Sequence, residues 1–131
     1  FVKKNDVRES KFDKGLFDSL IETVKVDLHY LDSVKIDKYS ARKVMTNYYD
    51  VLRSVLEAMA LKDGYKVYSH EAFVVYLKEK GEEGLSLKFD RYRRKRNKVN
   101  YYGGSVSIEE AEEFSGDIRK MIELLMKTII K

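Results

Sequence analysis

Apolar residues recur every three or four positions along almost the whole chain, which is the repeat of an α-helix with one buried face. Phe12, Leu16, Leu20 and Val24 step by four, with Phe17, Leu28 and Leu31 beside them. A break follows at Asp32-Ser33, and Asp37 is placed to cap the next helix. There Ala41, Val44, Met45, Tyr48, Leu52, Val55, Leu56 and Met59 make a broader stripe that ends at Lys62-Asp63-Gly64. Ser69 is positioned to cap a shorter helix carrying Phe73, Val74 and Leu77, stopped by KGEEG. A further helix is expected from about Ser86 to Tyr102, closed by Gly103-Gly104. The last starts at Ser107, spaced from Glu110 as in a capping box, and carries Ala111, Phe114, Ile118, Met121, Ile122, Leu125 and Ile129. No alternating strand of useful length, internal repeat or linker is visible. The expectation is an all-α fold, an antiparallel up-down bundle of four long helices with one short helix inserted, in a single domain over residues 1–131.

Several function classes fall away on composition. At 44% hydrophobic and 37% charged, the chain is too apolar for disorder and can bury a sizeable core. No apolar run reaches the length of a membrane span, so no membrane partner is expected. The opening FVKKNDVRES has neither an initiator Met nor the apolar core of a secretory signal. A trimmed or excerpted cytoplasmic chain is the expectation. Cysteine is absent, which excludes disulfides, thiolate nucleophiles and zinc–thiolate sites. The two histidines, His29 and His70, are too few for a histidine-based metal site, and each reads best as a surface or boundary residue. No metal and no cofactor are expected. GxSxG, HExxH, P-loop and GxGxxG patterns do not occur. Proline and glutamine are also missing while Lys, Arg and Glu abound, a balance common in thermophile proteins.

Charge is concentrated in one place. Between Lys88 and Lys98 lie seven basic residues and one acid, a local charge of +6, so the whole-chain charge of +4 leaves −2 for everything else. The stretch continues as RYRRKRNKVNYYGG, Arg91 to Gly104. On a helix, Leu85, Phe89, Tyr92, Arg96 and Val99 share one apolar face. Arg91, Arg94, Lys95 and Lys98 fall on the other side and form a basic, solvated face. Arg96 interrupts the apolar face, where an unpaired guanidinium is costly. It either pairs with a buried carboxylate, reaches along its stem to the rim, or faces a cleft or interface. Arg93 and Asn100 flank the same edge. Tyr48 and Tyr49 on the second helix read as core and boundary residues more readily than as a base-stacking platform.

RNKVNYYG resembles the signature of the HEPN superfamily, small helical-bundle proteins in which an Arg, often followed by a polar residue, precedes a His on a late helix. Arg96 and Asn97 occupy the matching places, and Tyr101 stands where the shortest form of the motif has His. The stretch is similar to a branch of the superfamily that reads close to R-x-x-A-D-Y-G, with Asn100 for the Asp. The YY of TNYYDVLRSVLEAMAL and the later SHEAF also look like that branch, so the resemblance extends from about Phe12 onward.

The resemblance implies a homodimer with the motif helices of two protomers lining a shared cleft. Members with the full motif are often metal-independent ribonucleases, including toxins of toxin–antitoxin pairs. Many are encoded beside a minimal nucleotidyltransferase, and related bundles bind that enzyme's substrate. The replaced histidine bears on the activity. Histidine, with a pKa of about 6.5, moves protons near neutrality, whereas tyrosine, at about 10, is a poor base. The expected function is therefore a dimeric non-nuclease that binds RNA or nucleotide phosphate, or serves a small nucleotidyltransferase as substrate-binding partner. Arg93, Arg96, Asn97 and Asn100 are the candidate phosphate contacts. The alternatives are a toxin-like ribonuclease acting through Arg96, Asn97 and Tyr101, or a relocated histidine, and a protein–protein adaptor whose basic helix meets an acidic surface.

Overall fold

The structure, a computed structural model, describes residues 7–101 and 105–130; the side chain of Tyr101 and the expected glycine stop at Gly103-Gly104 lie outside the described residues. Helix α1 spans Lys14–Ser33, α2 Ala41–Lys62, α3 His70–Glu79, α4 Glu83–Tyr101 and α5 Ile108–Ile129. The protein is thus predominantly helical, a bundle of four long helices and one short one.

Three of the helix starts carry a side-chain cap. The Asp13 carboxylate accepts the backbone N–H of Leu16 at 3.0 Å and opens α1. Ser69 does the same for Ala72 at 3.1 Å and opens α3. At α5 both halves of the expected capping box form: Ser107 accepts from the Glu110 backbone, and the Glu110 side chain accepts from the Ser107 backbone. Asp37 departs from expectation. Its carboxylate accepts the N–H groups of Tyr39 and Ser40, organising the turn before α2, and Ser40 takes the N-cap position. An aspartate two or three residues ahead of exposed N–H groups caps whichever turn comes first. The end of α3 is marked by Gly81 at φ 87°, a left-handed conformation that glycine adopts without steric cost.

Two short strands were not foreseen. β1 (Val7–Glu9) pairs antiparallel with β2 (Tyr65–Val67), Val7 opposite Val67, Arg8 opposite Lys66 and Glu9 opposite Tyr65. Three residues are too few to show a period of two, and the pairing partner is distant in sequence. Val7 and Val67 are both buried, so the ribbon covers one end of the core.

α2 is the central element and packs on α1, α5, α3, α4 and β2. Its apolar stripe is wider than one face: Met45, Tyr49, Leu52, Val55, Leu56 and Leu61 are almost wholly buried. Buried side chains from all five helices and both strands join one core. Among the described residues no helix is long and apolar enough to cross a membrane.

Candidate functional site

α4 presents the face read from its sequence. Phe89, Tyr92 and Val99 are buried and Leu85 is half-buried. Arg96, on the same face, lies against α2 with its side chain 18% exposed. Its guanidinium carbon sits 5.5 Å from the centre of the Tyr49 ring, within cation–π range. The nearest carboxylate oxygen, Oδ1 of Asp50, is 3.8 Å away, which is electrostatic contact without a hydrogen bond. The Arg96 Nε is buried and has no hydrogen-bond partner among the described residues. Asp50 is itself half-exposed, so the pair lies at the edge of the core and not within it.

Tyr49 is the hub of the arrangement. Its ring stacks on Phe89 of α4 and on His70 of α3, each with centroids 5.5 Å apart. Its hydroxyl is 2.6 Å from Nδ1 of His70. Burial raises the Tyr49 pKa well above the phenol range, with Arg96 and Arg93 opposing it, so the hydroxyl stays protonated. Tyr48, one residue earlier, is rotated about 100° around the helix and serves a different corner. Its hydroxyl donates to Asp32 at 2.9 Å, and Arg119 of α5 donates to the same carboxylate at 2.7 Å, tying α1, α2 and α5 together. Both tyrosines are buried; Tyr48 lies in the apolar stripe read from the sequence, and Tyr49, outside that stripe, is the more deeply buried of the two.

The other basic residues of α4 divide unequally. Arg93 is spent on carboxylates: its NH2 group donates to Asp90 at 2.7 Å, and NH1 reaches Glu71 of α3 at 3.4 Å. Arg94 bridges to the second oxygen of Asp90 at 3.0 Å, and Lys95 to Glu110 of α5 at 2.9 Å. Arg91 and Lys98 are exposed, in keeping with a solvated face. Asn97 is half-buried and Asn100 exposed. Tyr101 ends α4, but the position of its ring lies outside the described residues. His29 is exposed on α1, whereas His70 opens α3 and, like Arg96, contacts Tyr49.

Sequence reasoning therefore found Arg96 but missed Tyr49, Asp50 and His70 as parts of its surroundings. Tyr49 and Asp50 stand in TNYYD and His70 in SHEAF, and the spacing within those segments does not bring them to Arg96. A separate cavity of about 340 Å³ lies between α4 and α5, lined by residues that include Tyr92, Lys95, Glu110 and Phe114; Arg96 is not among them. Compared with family models, curated proteins and solved structures, the chain matches none.

Burial, and then the charges of Arg53 and Arg96, lower the His70 pKa from its ordinary 6.5. The folded chain then holds a proton at His70 less readily than the unfolded chain does. As pH falls through about 6.5 the unfolded state gains protons that native His70 refuses, so acidification destabilises the fold. Urea midpoints should drop between about pH 7 and pH 5.5, and drop less in His70→Asn. Asp37 and Glu110, whose pKa values are lowered by hydrogen bonds from Tyr39 and from Lys95 respectively, act below this window. An identical drop in both proteins would exclude His70 as the cause.

Proposed function

We propose that the chain is a HEPN-like, dimeric, non-nuclease protein that binds RNA or nucleotide phosphate at Arg96, alone or as the substrate-binding partner of a small nucleotidyltransferase. One observation carries the reading. Arg96 is held by packing on Tyr49, yet it forms no hydrogen bond with Asp50 and its Nε has no partner among the described residues. A guanidinium offers a planar fork of donors suited to phosphate oxygens; the Nε is buried, so the terminal nitrogens, which make no hydrogen bond with other described residues, are the ones left for a ligand. Asn97 follows it in the chain and adds a neutral donor at the same end of α4. In a dimer with facing motif helices, two such forks line one cleft.

The test is binding of a short fluorescein-labelled single-stranded RNA to the purified chain. Binding at low salt should weaken as salt rises, with a slope of about −0.7 for each phosphate neutralised. Absence of binding at 50 mM salt or so would overturn the proposal.

A second reading is favoured by His70. Its imidazole is kept neutral near pH 7 by burial and nearby cations, and it touches the same tyrosine as Arg96. That pairing of a neutral base with a phosphate-binding cation supports a ribonuclease in which His70 replaces the histidine missing at Tyr101. The same labelled RNA distinguishes the two. RNA left intact from pH 6 to 9 retains the non-nuclease reading, and cleavage lost in His70→Asn replaces it with the enzyme.

A further inference from the structure

An open groove of about 330 Å³ runs between α1 and α2 beside Arg96, lined by Asp27, Tyr30, Leu31, Asn47, Asp50 and Val51. The spacing is the same on both helices. Asp27, Tyr30 and Leu31 stand at i, i+3 and i+4 of α1, and Asn47, Asp50 and Val51 repeat the pattern on α2. Leu31 and Val51 are buried and supply an apolar floor. Tyr30 is 63% exposed, so its ring is open to a stacking partner. Asp27 and Asn47 are exposed and make no hydrogen bond or ion pair with other described residues, so their polar atoms are accessible to a ligand. Asp50 is common to the groove and to the Arg96 contact, so the two are contiguous.

We propose that this groove is a nucleobase subsite selective for guanine, extending the phosphate contact at Arg96 to a whole nucleotide. The inference rests on the phosphate-binding reading of Arg96 for its orientation and on the groove for its selectivity. An aromatic ring beside an apolar floor takes the face of any base. The polar lining then discriminates. Two carboxylates are acceptors only, so they favour a base edge that presents donors. Guanine offers N1–H and the N2 amino group side by side, a bidentate match for one carboxylate. Cytosine and adenine offer one amino group next to an acceptor. Uracil offers a single N–H flanked by two carbonyl oxygens, which the carboxylates repel. The groove's volume lies at the lower end of the range for ligand pockets, about 300–1,000 Å³.

The experiment is calorimetric titration of the full chain at low salt with GMP, CMP, AMP, UMP, guanosine and inorganic phosphate. GMP should bind at least about tenfold more tightly than UMP, with CMP and AMP between them. Tyr30→Ala should weaken GMP roughly 5- to 100-fold and leave inorganic phosphate unchanged. Asp27→Asn should narrow the gap between GMP and UMP. Both side chains are exposed, so neither change threatens the fold, and matched thermal unfolding curves verify that. Four nucleotides bound equally, or variants that bind GMP as the parent does, overturn the subsite while leaving phosphate binding at Arg96 intact. Guanosine bound with sensitivity to Asp27→Asn, but no binding of phosphate, keeps the subsite and overturns the Arg96 reading. No binding of any of the six overturns both.

Discussion

Phe89→Ala is expected to lower the unfolding free energy by about 3–5 kcal/mol, because Phe89 is the largest fully buried side chain of α4. The Phe89 side chain is fully buried, stacked on Tyr49 and set edge-on to Phe73 at 6.1 Å. Its removal would leave a hole where α2, α3 and α4 meet, and the remaining rings, Tyr49 of α2 and Phe73 of α3, are each held by their own helix and cannot simply move in to fill it. Domains of this size are stable by only about 5–15 kcal/mol. A fall in melting temperature of roughly 10–20 °C should result. Phe89→Leu keeps most of the volume and should lose less. Leu87→Ala, at a side chain 68% exposed, provides the surface comparison. A Phe89→Ala protein no less stable than that control would mean that α4 does not dock as described.

Arg96→Ala should weaken RNA or nucleotide binding roughly 10- to 100-fold, the value of one charge-assisted, forked contact. Stability should change little, because the substitution also removes a buried Nε that has no partner. Arg93→Ala should behave in the opposite way. Its guanidinium is engaged by Asp90 and Glu71, with the Arg93 and Asp90 side chains only 16% and 24% exposed. Losing it frees one oxygen of a half-buried carboxylate, while Arg94 keeps the other, and should cost about 0.5–1.5 kcal/mol, with a smaller effect on binding. Titration of labelled RNA and urea unfolding of both variants measure the two quantities. A binding loss at Arg93 equal to that at Arg96 would refute this division of labour.

What could be read from the sequence was local. Helix periodicity and the caps at Ser69 and Ser107 depend on neighbours within one or two turns, and those expectations match the structure. The seam position of Arg96 follows from the same arithmetic, since Phe89, Tyr92 and Val99 fix the buried face. The β1–β2 ribbon and the grouping of Tyr49, His70 and Arg96 depend on packing between distant segments. No spacing rule places the first residue of α3 against the middle of α2. Arg93 shows both sides of this. Its partner Asp90 is three residues away on the same helix, a local pairing, whereas Glu71 comes from α3 and depends on how α3 and α4 pack.

α3 and α4 follow one another in the chain and pack together, and between them they hold His70, Arg93 and Arg96. Tyr49, Asp50, Asp27 and Tyr30 belong to α2 and α1. The site therefore straddles the line between a locally formed hairpin and the long-range core, the kind of line along which proteins open below the threshold of global unfolding. A nucleotide with its phosphate on Arg96 and its base between α1 and α2 would span that line as a staple. Slower amide exchange in α4 on ligand addition would be the trace it leaves, with affinity and the closing of the hairpin onto the core measured in the same free energy.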